Sequence, residues 1–150
     1  MPKRNLEQDL IVIPGIVPAS TALASVYSKA IDTRGYSEAL IIVNCGLAAA
    51  SAELDVQVRQ GRPAQSVASQ RMVSTNHLHI AGTSFVQLTA ANDNTAYAGR
   101  LNLEGVSRYI SLWFKRDGTN DVTAGAVVVL GGKQYAPTTQ HNTLAFSVNL

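Results

Sequence analysis

The stretch Glu53-Leu54-Asp55-Val56-Gln57-Val58-Arg59 decides the fold class. Polar and apolar residues alternate at every step, and a period of two puts Leu54, Val56 and Val58 on one face of a sheet and the charges in water. Residues 108–115 repeat the pattern, with Ile110, Leu112 and Phe114 inward and Tyr109, Ser111, Trp113 and Lys115 outward. The turn sequence Asp117-Gly118-Thr119-Asn120 follows, and residues 122–130 are expected to return as the hairpin partner of that strand.

Outward from these two strands, residues 40–43 and 126–130 are continuous apolar runs of strand length that stop at Gly46 and at Gly131-Gly132. Such runs read as central strands covered on both faces. Weaker strands fit residues 23–31, 85–90 and 97–103, with Asn92-Asp93-Asn94 as the hairpin turn between the last two. The helical contenders, 47–54 and 64–72, are short. The expectation is an all-β chain, a β-sandwich or jelly roll of about seven to eight short antiparallel strands with extended terminal arms, since an α/β fold would need longer helical patterns between strands. Gly35-Tyr36-Ser37 before one core strand and Gly105-Val106-Ser107 before another read either as equivalent strands of facing sheets or as two ordinary turn-to-strand junctions.

The ends suggest three parts: an extended N-terminal arm over 1–20, a β-sandwich domain over 21–137 and a C-terminal strand or arm over 138–150. Pro2, Pro14 and Pro18 surround Leu10-Ile11-Val12-Ile13 and make that segment unfit for a helix or a central strand. Residues 143–150 alternate apolar and polar and carry no side-chain charge, so that strand needs a partner, in its own sheet or on a neighbouring subunit. At least one arm is expected to dock on a neighbour, with Leu6, Leu10, Ile11, Val12, Ile13, Leu144, Phe146 and Val148 as the partner-binding residues.

Composition narrows the partners. The chain has 150 residues, enough for one core without metal or disulfide support. It is 46% hydrophobic and only 15% charged, which leaves much of the surface to uncharged polar and small residues suited to protein contacts. The net charge of +2 is spread along the chain, and without a cation cluster nucleic acid is not an expected partner. Neither a secretory signal nor an apolar stretch of about 20 residues is present, so no membrane association is expected and the chain should be made in the cytoplasm. Cys45, the single cysteine, lies in an apolar run and reads as a small buried hydrophobe.

Chemistry is hard to find. Gly82-Thr83-Ser84-Phe85-Val86 starts like a nucleophile elbow but lacks the closing glycine. Gly131-Gly132-Lys133 lacks the first glycine and the terminal Ser or Thr of a phosphate loop. His77 and His79 would share a strand face as paired metal ligands do, yet no third ligand is marked, and His141 is distant. Asp93, Asp117 and Asp121 sit among turn residues, where carboxylates cap local backbone. Trp113, Tyr109, Tyr97 and Tyr135 could form a sugar-stacking platform, although strand aromatics more often fill a core or an oligomer interface. No catalytic residue, cofactor or metal is expected, and the chain is read as not an enzyme.

Ile31-Asp32-Thr33-Arg34-Gly35-Tyr36, the following strand ending Val43-Asn44-Cys45-Gly46, and Val127-Val128-Val129-Leu130-Gly131-Gly132-Lys133-Gln134-Tyr135-Ala136-Pro137 together resemble capsid decoration, or cement, proteins of tailed bacteriophages. The resemblance spans residues 22–137 and rests on strand-and-turn phrases without a catalytic signature. It implies a β-sandwich or jelly roll, homodimers or homotrimers on the capsid exterior, and contacts with the major capsid protein that tie neighbouring subunits together. Avidity would make such contacts hard to lose. A carbohydrate- or receptor-binding jelly-roll module on the virion is the alternative, because fold does not fix function.

Overall fold

The computed structural model describes residues 10–20, 25–64, 66–73, 86–117 and 120–132. Among them the strands are β1 (Ile11–Ser20), β2 (Val26–Tyr27), β3 (Ile31–Asp32), β4 (Glu38–Ala48), β5 (Glu53–Gly61), β6 (Arg71–Met72), β7 (Val86–Thr89), β8 (Ala96–Asn102), β9 (Tyr109–Arg116) and β10 (Val122–Gly131). Single 3-10 turns at Val67–Ser69 and Ala90–Asn92 are the helical segments among the described residues.

The strands form two antiparallel sheets. Sheet A has the order β1-β10-β4-β8, and sheet B is built around β9 and β5, with β2 and β3 along the free side of β9 and β6 and β7 along that of β5. β2 and β3 are one broken strand: both pair with β9, through Tyr27↔Trp113 and Ile31↔Ile110, and one residue of register is lost between them. Ser28 mends the break. Its N–H donates to the Leu112 carbonyl at 3.0 Å, and its hydroxyl accepts the Leu112 N–H at 2.8 Å.

Counting β2 with β3 and β6 with β7 as single strands gives eight among the described residues, and their pairing follows one rule. First pairs with last, second with seventh, third with sixth, and fourth with fifth. That is a long antiparallel ribbon rolled into two layers, the arrangement of a double-sheet jelly roll. Its successive turns meet at β10·β4 in sheet A and at β5·β9 in sheet B.

Rolling explains where the sequence reading of connections fails. Residues 122–130 do not form a hairpin with β9; the chain crosses to the other sheet, where β10 lies between β1 and β4. Asn92-Asp93-Asn94 likewise joins β7 of sheet B to β8 of sheet A and closes no hairpin. Alternation reports which face a side chain takes and carries nothing about which sheet the next strand enters. Residues 11–20, expected as part of an arm, form the edge strand β1 and pair with β10 from Ile11↔Leu130 to Ser20↔Thr123. Pro14 and Pro18 are tolerated there because an edge strand has a free side, and the register shifts on either side of Ile16. Gly125 lets this strand sit close: a Cβ at that position would stand 2.6 Å from Pro18 Cγ.

The core lies between the sheets. Ile41, Val43, Leu101, Val128 and Leu130 come from sheet A, facing Leu54, Val56, Leu88, Ile110, Leu112 and Phe114 from sheet B, and all are fully buried. Each such side chain contributes about 1.5–3 kcal/mol over its exposed state. The two phrases around Gly35 and Gly105 are equivalent in form. In each a turn is closed by an N–H to the carbonyl three residues back, Tyr36 to Thr33 and Val106 to Leu103, with positive φ at the glycine (86° and 78°). One leads into sheet A and the other into sheet B, as the first of the two readings expects.

Candidate functional site

The outward face of sheet A is built from the same two apolar runs that supply the core. On an alternating strand with Ile41 and Val43 inward, Leu40 and Ile42 must point out; opposite them on β10, Val129 and Val127 do the same. Registers extend these into two rows across the sheet. One runs Val12, Val129, Leu40, Arg100 and the other Pro14, Val127, Ile42, Ala98. Leu40 is 39% exposed, and Val12, Ile42, Val127 and Val129 are half-buried. These runs were expected to be covered on both faces; among the described residues nothing covers the outer one.

Charge is nearly absent there. The four strands of sheet A contain a single acid, Glu38, and a single base, Arg100. The two neutralise each other through Arg100 Nε and Glu38 Oε2 at 2.7 Å. Beside this pair the surface dips into a depression of about 260 Å³ lined by Leu10, Glu38, Ala39, Leu40, Arg100, Val129 and Gly131. Its lining is predominantly apolar, so it suits an aliphatic side chain better than a charged group.

Sheet B presents the opposite character. The row on the side away from the core carries Asp55, Gln57 and Arg59 from β5 against Lys115, Trp113 and Ser111 from β9, with Gln57 and Ser111 buried within it. Tyr27 stacks on Trp113 with ring centroids 5.7 Å apart, and the Arg59 guanidinium lies 4.6 Å from the Trp113 centroid. Arg59 is held by Gln57 Oε1, which accepts from its Nε and Nη2 at 3.1 and 2.6 Å, and by the Gln70 carbonyl at 2.8 Å. Burial holds its ionisation below the usual arginine value. Trp113 Nε1 is buried and has no hydrogen-bond partner among the described residues. At the rim, Arg108 Nε and Nη2 donate to the two Asp32 carboxylate oxygens at 2.9 and 2.6 Å, which holds Asp32 below the usual carboxylate range.

Of the partner-binding residues expected from sequence, Ile11 is a core residue at 6% exposure and Ile13, half-buried, packs against the core. Leu10 and Val12 stay partly open on the outer face of sheet A. Leu6, Leu144, Phe146 and Val148 lie outside the described residues, as do His77, His79, His141, Ser84 and Tyr135. Cys45 is buried at 4%, and burial raises its thiol pKa. Asp93 Oδ1 accepts the Ala48 N–H at 2.5 Å, so it caps backbone at the end of β4, 45 residues away, and not the local turn backbone expected of it. Among the described residues no three His, Cys, Asp or Glu converge as metal ligands. Sequence reasoning missed Leu40, Ile42, Val127 and Val129 as surface. The signal was present: a sandwich strand needs apolar residues on one face only, and these runs have them on both.

No protein-family model matches the chain, and no curated protein matches it. Among solved structures, the chain is similar to the coat protein of Tobacco streak virus at 10% identity and a TM-score of 0.32, covering 96% of each chain. The coat protein dimer of the same virus gives 10% identity and a TM-score of 0.31, with 99% of this chain and 97% of that one covered.

Proposed function

We propose that the protein is a non-catalytic structural component of a virion that lays the outer face of sheet A on the capsid exterior and cements neighbouring major capsid protein subunits. The observation that carries this reading is the contrast between the two faces. One sheet offers a nearly uncharged surface of Val, Leu, Ile, Pro and Ala with a shallow apolar dip, and the other a charged and aromatic one. Contiguous apolar surface facing water is unfavourable unless it is a contact site. The face of sheet A is therefore the one assigned to a partner. Leu10 and Gly131 both line the dip, so a partner seated there would meet the corner at which β1 begins and β10 ends. The phage-type resemblance of residues 22–137 supports the same assignment.

Leu40→Glu tests it. The substitution adds charge to a 39% exposed position without opening the core, so the fold should survive. Capsids of the particle that encodes this chain, mixed with wild-type protein, should carry regular copies by cryo-electron microscopy, and the variant should be largely lost from them. Equal occupancy by Leu40→Glu, or absence of the wild-type chain from the shell, sinks the proposal.

The alternative, a carbohydrate- or receptor-binding module, is favoured by one observation: the Tyr27–Trp113 stack with a clamped arginine beside it. Aromatic side chains stack on sugar rings. Glycan binding that disappears in Trp113→Ala while capsid binding persists would decide for that role.

A further inference from the structure

We propose that β8 is the seam of a two-fold homodimer, in which a second copy's β8 pairs antiparallel with it and the two A sheets become one continuous sheet of eight strands. This names the self-contact of the reading above, and it is tested on the isolated protein, so it stands or falls separately from capsid binding.

A sandwich has four sheet edges, and exposed edges are normally blocked. Three are blocked here. β1 carries Pro14 and Pro18 and two register shifts. The outer edges of sheet B are interrupted: β2, β3 and β6 are two residues each, and β7 is four. β8 has none of these guards. It is seven residues of Ala-Tyr-Ala-Gly-Arg-Leu-Asn, paired with β4 in unbroken register from Glu38↔Asn102 to Asn44↔Ala96, without proline or lysine. Its one charge, Arg100, is neutralised within its own sheet by Glu38.

The direction of the free groups follows from the bonds flanking the strand. The Thr95 carbonyl accepts from Cys45 N–H, and Leu103 N–H donates to the Ser37 carbonyl, so odd-numbered residues turn their backbone groups toward β4. Ala96, Ala98, Arg100 and Asn102 therefore turn theirs away from the sheet, and no partner meets them among the described residues.

Self-pairing about Gly99 uses the full strand. It sets Ala98 opposite Arg100 of the second copy and Ala96 opposite Asn102, and each of these pairs exchanges two main-chain bonds. Gly99 faces Gly99 on the axis, where neither copy has a side chain. Sliding by one pair so that Arg100 meets Arg100 opposes like charges and is disfavoured. The apolar rows of sheet A then run through Ala98 and across the axis, which doubles the area of the face proposed to meet the capsid.

The test is sedimentation of full-length protein and three variants at the exposed position 98, with circular dichroism to confirm the fold. Wild-type protein should be a dimer. Ala98→Pro removes an outward N–H while leaving the bonds to β4, and should be monomeric. Ala98→Lys faces Arg100 of the second copy and should raise the dimer Kd roughly tenfold, whereas Ala98→Glu should hold or lower it. Wild-type protein that is monomeric from about 1 μM to about 1 mM, or trimeric, overturns the proposal. So does a dimer indifferent to the sign of the charge at 98 but lost in Ala98→Pro, which would mean that an uncharged arm adds to β8. If Ala98→Pro is unfolded, the Lys and Glu variants decide alone.

Discussion

Asp55 and Asp117 meet at one corner of the charged sheet. Burial is the main influence that lifts the Asp55 carboxyl above its usual pKa of 3.8, and Asp117 beside it lifts it further. Asp117 goes the other way, because Lys115 Nζ reaches its Oδ1 at 2.8 Å and stabilises its charge. A raised folded pKa means that Asp55 favours the folded state fully below its unfolded value and loses that contribution as pH rises through the folded one. Asparagine keeps an oxygen for Gln87 Nε2, which donates to Asp55 Oδ1 at 2.9 Å, and never ionises. Asp55→Asn should therefore be more stable than wild type to urea at neutral pH, with the gain shrinking toward zero as the buffer is taken below pH 3.8. A constant gain at every pH would mean that ionisation of Asp55 is not its source. The fold alternation of Leu54, Val56 and Val58 was legible from sequence, but the proximity of Asp55 to Asp117 was not, since it depends on β5 and β9 lying side by side.

At the level of elements, β5 and β9 could be read directly because each alternates strictly, and inward residues Leu54, Ile110, Leu112 and Phe114 are all buried as that pattern requires. The broken strand β2–β3 could not, because its continuity is supplied by a side chain. Ser28 places its hydroxyl where a ladder carbonyl would stand, and only the pairing to Leu112 discloses that role. Ser28→Ala should leave the buried Leu112 N–H without an acceptor, at a cost of about 1–3 kcal/mol by chemical denaturation. Ser28→Thr retains a hydroxyl and should recover part of it. Loss below about 0.5 kcal/mol for the alanine variant would show that the break is bridged by other means. The candidate face was half legible for a related reason: the runs at 40–43 and 126–130 marked β4 and β10 as central strands, but not that they share a sheet, nor which of their two apolar faces the sandwich would leave open.

For the whole molecule, the rolled ribbon joins its first strand to its last, so closing sheet A requires β1 and β10 to meet across almost the entire chain. Non-local pairing of this kind is slow, and refolding from denaturant should fall in the milliseconds-to-seconds range of all-β domains; a microsecond phase carrying the full amplitude would contradict this topology. The same join fixes how the molecule answers to tension. Ile11 sits opposite Leu130, so β1 begins and β10 ends at one corner, on neighbouring antiparallel strands. A pull exerted through both ends at once would open β1 from β10 like a zip, one rung after another, with no rung shielded by the next. A subunit meant to resist a swelling shell is better gripped across the broad face of the sheet, where many rungs share the load in parallel.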